Sequence, residues 1–231
     1  MDDLLFNLYL QPTEVSQGST CTAVIIDQVQ KKIFVANLGD SRTLLIKNGE
    51  NAFQTMDHKP SVIPEFERIK KAGGCVINNR VQGQLAVSRA FGDFNLKARL
   101  VDQRWYPFNP NQLQLVSVEP DVNVVDFGDW LVDEKNEPNF NKSFIILACD
   151  GLFDVCSSFN ACEIVKLRWK QLEQEKLVEK RLKMAEQRSE NVTYSENFEI
   201  SIPLESISSH LVQYAYDNKS FDNISVMIVQ L

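Results

Sequence analysis

The sequence contains no apolar stretch that approaches the ~20 residues needed to cross a bilayer. Its first residues, Met1-Asp2-Asp3-Leu4-Leu5-Phe6, have neither the basic leader nor the long apolar region of a signal peptide. No block of lysine and arginine stands clear of neighbouring acids, and the formal net charge is −7, which disfavours nucleic acid as a partner. These absences predict a soluble intracellular protein, cytoplasmic or nuclear, that binds neither membrane nor nucleic acid.

Cysteine and histidine are also scarce, which limits the metal and redox chemistry open to the chain. The five cysteines lie mostly in or beside apolar runs, and none belongs to a CxxC pair. Neither a zinc site nor a disulfide framework is therefore expected, and buried reduced thiols are the favoured interpretation. A P-loop and a GxGxxG dinucleotide fingerprint are both missing, so the sequence does not support nucleotide binding.

What the sequence does contain is enough apolar material for one hydrophobic core. Hydrophobic residues make up 44% of the chain, and its length is most simply one domain over residues 1–231. Runs rich in β-branched residues predict strands at Thr20–Asp27, Lys32–Asn37 and Thr43–Lys47, arranged as an antiparallel meander. The nearly continuous apolar run Ser143–Cys149 has the pattern of a buried central strand.

Apolar periodicity and capping residues predict three helices. Pro64–Ala72 has helical spacing and is followed by two glycines. Asn160 begins a long helix that runs to about Lys183, and Leu204–Tyr216 forms another. Residues 185–203 are mostly polar and aperiodic, so they are expected to form a loop or insertion. Many strands with few helices, not in βαβ alternation, predict an α+β fold, an antiparallel β-sandwich flanked by helices.

Three short segments carry aspartates where strands meet turns: Asn37–Arg42, Ala148–Val155 and Ser220–Ser225. Asp40 and Asp150 follow apolar runs, Asp222 precedes one, and Asp154 would share a helical turn with Asp150. Buried carboxylates need cations or basic partners. A fold that gathers them at one end of a sheet can hold Mg²⁺ or Mn²⁺. Water held between two such ions becomes a nucleophile suited to attack on a phosphate ester.

Each aspartate also has a purely structural interpretation. Asp40 could be a turn residue paired with Arg42, and Asp150 opens a common Asp-Gly turn. Asp154 could place a negative charge at a helix N-terminus, and Asp222 could cap the loop before the last strand. Taken one at a time these interpretations are the simpler ones, so the case for a site depends on the surrounding residues.

Those surroundings form eight motifs in order between about Gly18 and Leu231. They are Gly18-Ser19-Thr20, Val35–Arg42, Asp57–Pro60, Glu67–Ile69 with Ala72–Gly74, Arg80-Val81 before Leu85–Asp93, Glu119–Asp121, Leu147–Val155 and Asp222–Ser225. In order and spacing they resemble the metal-dependent protein phosphatases of type 2C, the PPM family. Any one motif would be modest evidence, whereas eight in the correct order are strong evidence.

The resemblance implies a β-sandwich flanked by helices, with a two-metal centre at one end. It also implies hydrolysis of phosphoserine and phosphothreonine on phosphorylated protein substrates, with Mg²⁺ or Mn²⁺ as the cofactor. Carried over by motif, Asp150 and Asp222 would ligate the first metal. Asp40 and Asp154, with Asp150 again, would border a weaker third metal position.

The resemblance assigns neither His58 nor His210 to catalysis. The family's candidate acid histidine lies in an upstream Asp-Gly-His-Gly-Gly segment, not at the position of His58. Asp57–Pro60 and Ser88-Arg89 would be mostly architectural, though near the cleft, and His210 lies in a predicted helix where a structural role is expected. The catalytic residues are therefore left unassigned.

The upstream Asp-Gly-His-Gly-Gly segment, which in the family supplies the aspartate that bridges both metals, is absent from this sequence. Only Met1–Gln17 precede Gly18. The apolar residues from Leu4 to Leu10 are consistent with a short helix before the first matched strand, and Asp2-Asp3, at its start, would be poor substitutes for the bridging aspartate. The expectation is an N-terminally incomplete fold: a fragment, an incomplete gene model or a degenerate family member. Sheet edges left uncovered would favour association with other chains.

The leading hypothesis is a Mg²⁺- or Mn²⁺-dependent serine/threonine phosphatase domain that is inactive alone, because the bridging aspartate is absent. The alternative is a non-catalytic pseudophosphatase that acts as a binding or regulatory module for a kinase or scaffold. A different Mg²⁺-dependent phosphohydrolase, acting on small molecules, is a third hypothesis.

Overall fold

The computed structural model describes Asp2 and residues 17–97, 99–101, 104–106, 114–131, 142–189 and 201–231. In chain order its strands are β1 (Gly18–Ser19), β2 (Cys21–Asp27), β3 (Lys32–Leu38), β4 (Arg42–Lys47), β5 (Glu50–Gln54), β6 (Val76–Ile77), β7 (Arg80–Val81), β8 (Phe91–Gly92), β9 (Arg99–Val101), β10 (Arg104–Tyr106), β11 (Asp121–Asp126), β12 (Ser143–Ala148) and β13 (Val226–Gln230). Its α-helices are α1 (Ile63–Lys71), α2 (Asp150–Phe153), α3 (Ser158–Ser189) and α4 (Leu204–Asp217). None of the described helices combines the length and apolar character needed to cross a membrane.

The chain divides into two compact units. Unit 1 comprises Met1–Thr43 and Gln54–Asp129, and unit 2 comprises Leu44–Phe53 and Trp130–Leu231. Each unit has its own sheet and its own buried side chains, so the two are described separately. The single domain predicted over residues 1–231 stays a prediction.

The main sheet of unit 1 has three antiparallel strands in the order β11–β3–β2. Side chains alternate along the central strand β3, where Ile33 and Val35 are fully buried and Phe34 between them is half-buried. The strands predicted at Thr20–Asp27 and Lys32–Asn37 are thus confirmed as β2 and β3. The order makes β2 and β11 the outer strands, and association through sheet edges stays a prediction.

The third strand of the predicted meander pairs elsewhere. Residues 43–47 belong to β4, which lies between β12 and β5 in the sheet β13–β12–β4–β5, so the predicted meander is wrong at this strand. Leu44, Leu45 and Ile46 are all fully buried, which is typical of a strand covered on both faces. Gly39 separates β3 from β4 with a φ of +97°, in the left-handed region that glycine enters without steric cost.

The sheet of unit 2 is built around β12, as its apolar run predicts. Phe144 and Ile146 are fully buried on one face of this strand, and Ile146 lies opposite Ile228 of the antiparallel strand β13. Helices α3 and α4 contribute Trp169 and Leu211 to the same hydrophobic cluster. The rings of Phe144 and Trp169 are 5.1 Å apart between centroids and tilted by 59°, a favourable aromatic geometry.

Helix α3 is longer than the sequence pattern predicts. It begins before Asn160, because the Ser157 hydroxyl oxygen accepts a hydrogen bond from the Asn160 N–H at 3.1 Å and caps the first turn. It ends at Ser189, so the start of the predicted loop 185–203 is helical. The run Ala185–Arg188 consists of residues with high or moderate helix propensity, which a search for apolar periodicity does not detect.

Residues 190–200 of the predicted loop lie outside the described residues. The helices predicted at Pro64–Ala72 and Leu204–Tyr216 are confirmed to within one residue as α1 and α4. Antiparallel strand pairs together with helices that do not alternate with parallel strands confirm the predicted α+β class.

Replacing Trp169 by alanine is expected to lower the free energy of unfolding by about 3–5 kcal/mol, because a large buried ring is lost and a cavity remains. The matched control is Leu167→Ala in the same helix, whose side chain is 62% exposed. It should change the free energy by less than about 0.5 kcal/mol. Urea unfolding followed by circular dichroism measures both, and equal effects would contradict the placement of Trp169 in the core.

Candidate metal centre

Asp150 and Asp222 lie at the same end of the unit 2 sheet. Asp150 follows β12 and begins α2, and Asp222 lies in the segment that leads into β13. Because β12 and β13 are antiparallel, with Ala148 opposite Val226, the end of the first strand is beside the start of the second. The structure therefore brings together two of the three aspartate segments, as the strand-and-turn pattern predicts.

These two segments are held together by short backbone and side-chain contacts. The Cys149 N–H donates to the Ser225 carbonyl oxygen at 3.2 Å, and the Ser225 N–H donates to the Cys149 sulfur at 3.2 Å. The Ser220 hydroxyl donates to the Gly151 carbonyl oxygen at 2.7 Å. A Cβ on Gly151 would lie 2.2 Å from the Asn223 carbonyl oxygen, so only glycine allows this approach.

Asp154 and Asp222 differ in how their immediate surroundings hold them. The Asp154 N–H donates to the Asp150 carbonyl oxygen at 2.8 Å, so the two aspartates are one helical turn apart, as predicted. Asp222 is exposed, and its Oδ1 accepts the Asn223 N–H at 2.7 Å, which resembles the loop cap foreseen as its structural role. Each carboxylate oxygen carries two lone pairs, so this hydrogen bond is compatible with a metal contact.

Asp40 belongs to unit 1, where it is buried and paired with a lysine. Its side chain is 5% exposed, and its Oδ2 lies 2.5 Å from Lys59 Nζ. Arg42 instead makes a two-pronged contact with Asp57, from Nε to Oδ1 at 2.9 Å and from Nη2 to Oδ2 at 2.8 Å. Burial of Asp40 is therefore compensated by an ammonium group, as the cost of an isolated buried charge requires.

Glu65 is the buried centre of an ion network in unit 1 that sequence reasoning missed. Its carboxylate accepts hydrogen bonds from Arg68 at 2.8 Å and from Arg89 at 2.7 Å. Burial alone would raise its pKa, but the hydrogen bonds from Arg89 and Arg68 outweigh that effect and lower the pKa to about 2. The only sequence signal was its position three residues before Arg68, because Arg89 approaches from a distant part of the chain.

Arg89 and His58 extend this network to the loop that carries Asp40. Arg89 Nη1 donates to Asp121 Oδ1 at 2.8 Å, and His58 Nε2 lies 3.2 Å from Asp121 Oδ2 without the alignment of a hydrogen bond. His58 Nδ1 accepts the Gly39 N–H at 3.0 Å. His58 is 2% exposed and holds the Gly39-Asp40 turn, which supports an architectural role.

Asp2 is engaged with Lys97 in the same unit. Its Oδ2 lies 2.6 Å from Lys97 Nζ, and its Oδ1 accepts the Gly92 N–H at 3.0 Å. Burial lowers the pKa of Lys97, although Asp2 and Asp93 act in the opposite direction. Asp2 thus neutralises a buried lysine, and its unsuitability as a bridging metal ligand stays a prediction.

The aspartate oxygens are the kind of ligand that Mg²⁺ and Mn²⁺ prefer, but too few of these side chains come together to form a complete site. Carboxylate oxygens suit these hard cations, and Asp150 and Asp222 share one end of a sheet. Within the part of the chain that the structure describes, however, no group of three or more His, Cys, Asp or Glu residues is placed to hold a metal ion. The ligand assignments of Asp40, Asp150, Asp154 and Asp222 therefore stay predictions.

Replacing Glu65 by alanine at pH 7 is expected to lower the free energy of unfolding by roughly 2–3 kcal/mol, because two arginines lose the carboxylate that they share. The loss is smaller than for a fully buried pair because both arginines are half-buried. Glu67→Ala, an exposed position on the same helix, serves as the control and should change the free energy by less than about 0.5 kcal/mol.

The effect of Glu65 should also depend on pH. Folding lowers its pKa from 4.5 to about 2, so its carboxylate stabilises the fold fully above pH 4.5 and loses that effect as the pH falls through about 2. In urea unfolding, the difference between the native sequence and Glu65→Ala should be smaller at pH 3 than at pH 7. An equal difference at both values would contradict the network.

Replacing Gly151 by alanine should separate the two aspartate segments of unit 2. Its new Cβ would meet backbone at 2.2 Å, and the forced shift is expected to cost about 1–3 kcal/mol of unfolding free energy. At Gly128 the nearest contact is a side-chain oxygen at 3.2 Å, so Gly128→Ala should be tolerated. Thermal unfolding compares the variants, and faster hydrogen exchange at the Cys149 and Ser225 amides locates the shift.

Comparison with known proteins places these observations in a family. The family model for protein phosphatase 2C matches residues 5–224. Human protein phosphatase 1B is 38% identical over 212 residues, which cover 92% of this chain and 34% of the relative. Bovine protein phosphatase 1A is 44% identical over 151 residues, which cover 65% of this chain and 35% of the relative. The chain thus spans about a third of the length of these relatives.

Comparison with solved structures also finds phosphatases. A serine-threonine phosphatase 2C from Toxoplasma gondii superposes with a TM-score of 0.58 at 26% identity, over 99% of this chain and 63% of that one. A phosphatase from a pathogenic strain of the same organism gives a TM-score of 0.54 at 28% identity, over 85% and 47% of the two chains. Because the family model matches nearly the whole sequence and the α+β fold agrees, this chain belongs to the protein phosphatase 2C family.

Proposed function

We propose that this chain supplies metal-binding carboxylates to a Mg²⁺- or Mn²⁺-dependent phosphatase that hydrolyses phosphoserine and phosphothreonine on proteins. The observation that carries the proposal is the approach of Asp150 and Asp222 at one end of the unit 2 sheet, where Gly151 lets their segments meet. Membership in the protein phosphatase 2C family supplies the reaction class. When bound, divalent cations lower the pKa of water and neutralise charge on phosphoryl oxygens.

The chain's own residues have distinct roles in this proposal. Asp150 and Asp222 hold the first cation, and Asp154, one helical turn from Asp150, faces a weaker neighbouring position. Any cation at Asp40, which belongs to unit 1, would compete with Lys59, whose ammonium group is 2.5 Å from the Asp40 carboxylate. Such competition between a lysine and a cation is consistent with weak binding there.

Turnover in this proposal requires a further carboxylate. Fewer than three potential ligands converge in the described residues, and the sequence contains no Asp-Gly-His-Gly-Gly segment. We therefore expect the isolated chain to bind Mn²⁺ weakly and to release little phosphate. The same shortage of ligands supports a second candidate function, a non-catalytic module that binds or regulates another protein, such as a kinase or a scaffold.

A chimaera distinguishes the phosphatase from the non-catalytic binding module. The residues of human protein phosphatase 1B that precede the position aligned with Gly18 are joined to Gly18, and phosphate release from a phosphothreonine peptide is measured with Mn²⁺. The phosphatase proposal expects release by the chimaera and a loss of kcat/KM of roughly 100-fold or more in Asp222→Asn, since a metal ligand is removed. A well-folded chimaera that binds Mn²⁺ weakly and shows no turnover would favour the binding module.

Asp217→Asn is the matched control, because Asp217 is an exposed carboxylate five residues upstream, paired with Gln213 at 2.8 Å. It should leave turnover unchanged. Mn²⁺-dependent turnover by the isolated chain would overturn the requirement for a further carboxylate. Equal loss of activity in both variants would overturn the specific role of Asp222.

A further inference from the structure

Lys59 contacts Asp40 as one of three successive pairs between two segments of unit 1. Lys59 Nζ lies 2.5 Å from Asp40 Oδ2. Two residues earlier, Asp57 accepts two hydrogen bonds from Arg42, at 2.9 and 2.8 Å. His58 lies between Asp57 and Lys59 and binds the same segment through its backbone and its ring. The ammonium group is therefore placed by a match of neighbouring residues, and not by an isolated contact.

The middle pair fixes the backbone of both segments. The His58 N–H donates to the Gly39 carbonyl oxygen at 2.9 Å, and the Gly39 N–H donates to His58 Nδ1 at 3.0 Å. Asn37 Nδ2 also donates to the Gly39 oxygen, at 3.2 Å. Because Asp40 follows Gly39 and Lys59 follows His58, these bonds hold the residue with the carboxylate beside the residue with the ammonium group.

Burial makes a positive partner necessary for Asp40. Its side chain is 5% exposed, whereas that of Lys59 is 32% exposed. A buried carboxylate is costly unless a cation compensates its charge. Lysine can supply that cation cheaply, since its apolar stem packs along the protein while its ammonium group stays near water. Lys59 is thus the cation that the fold itself provides.

Charge opposes the addition of a metal ion to this pair. Over residues 39–42 and 57–59 the charges of Asp40 and Asp57 are balanced by those of Arg42 and Lys59. A divalent cation on Asp40 with Lys59 in place would lie within a few ångströms of an ammonium group, and like charges repel. Displacing Lys59 is also unfavourable, because a tethered partner has a high effective concentration.

The ligand set at Asp40 is also poor for a metal ion. Mg²⁺ demands near-ideal octahedral geometry and binds through carboxylates together with waters or substrate phosphates. Within the described part of the chain, no group of three or more His, Cys, Asp or Glu residues converges. Asp40 therefore offers a cation a carboxylate that is already paired.

We propose that Lys59 takes the place of a metal ion at Asp40, so that Asp40 is not a metal ligand in this chain. The ammonium group is a built-in counter-ion that closes this position to divalent cations. The proposal replaces the third metal position that the family resemblance assigns to Asp40. It rests on the proposed function only in that weak Mn²⁺ binding is expected elsewhere, through Asp150 and Asp222.

Manganese binding by the full 231-residue chain tests whether Asp40 is a ligand. Electron paramagnetic resonance of free Mn²⁺ measures the affinity. Asp40→Asn should change the affinity by less than about twofold, because no metal contact is lost. Asp222→Asn should weaken it by roughly tenfold or more, because a metal ligand is lost. Asp40→Asn with Lys59→Gln removes both charges of the pair and should also keep the native affinity.

Removal of the ammonium group tests whether Lys59 excludes the metal. Lys59→Gln leaves the buried carboxylate uncompensated, so the urea midpoint of unfolding should fall. An excess of Mn²⁺ should raise the midpoint of Lys59→Gln more than that of the native chain, because the metal can then bind Asp40 and stabilise the folded state. In Lys59→Gln with Asp40→Asn this additional rise should disappear.

Lys71→Gln is the matched control. It removes the same charge from an exposed position in the last turn of α1. It should keep the native urea midpoint and gain no additional response to Mn²⁺. Circular dichroism checks that each variant is folded before the midpoints are compared.

Two results would overturn the proposal. One is a loss of Mn²⁺ affinity in Asp40→Asn as large as that in Asp222→Asn. The other is an equal response of the native and Lys59→Gln midpoints to Mn²⁺. Failure of the proposed function looks different: Asp222→Asn would then bind Mn²⁺ as the native chain does. The urea midpoints would still decide the role of Lys59.

Discussion

The antiparallel pairing of β12 with β13 is the constraint on which the candidate metal centre depends. It places the end of one strand beside the start of the other, so aspartates more than 70 residues apart in sequence share one end of a sheet. The pairing alone would not bring the segments into contact. Gly151 completes the approach, because any side chain there would collide with backbone at 2.2 Å. Two otherwise ordinary turns thereby become neighbours.

In unit 1 the buried carboxylate of Glu65 holds distant parts of the chain together, as the β12–β13 pairing does in unit 2. Glu65 is shared by two arginines, one from its own helix and one from a distant segment, and the second of these also binds Asp121. Full charge compensation explains how an acidic group can be 3% exposed without neutralising itself. Through His58 the same network reaches the turn that carries Asp40. The motif residues of this unit are thus connected by charge as well as by the sheet.

The apolar pattern of the sequence was sufficient to predict β2, β3, β12, α1 and α4, because each has a period or a run that matches its burial. It could not predict the partners of β4, since a run buried on both faces does not reveal which strands flank it. The end of α3 was also missed, because helix propensity without an apolar stripe resembles a loop. The ion pair between Lys59 and Asp40 forms only when separate parts of the chain come together in the fold. No local spacing in the sequence therefore predicts it.

Helix α3 packs against the hydrophobic cluster only as far as Leu172, and every side chain from Glu173 to Ala185 is half-buried or exposed, which affects how the helix forms. Forming the first turn is the costly step for an isolated helix, and about 17 residues alone would be marginal in water. Here the half that contacts the core provides that first turn, so the distal half needs only to extend an existing helix one residue at a time. Helical structure beyond Leu172 therefore depends on the packing of the first half of α3 against the core. Unfolding of the helix should begin at Ser189 and proceed toward Leu172, while the packed half stays helical.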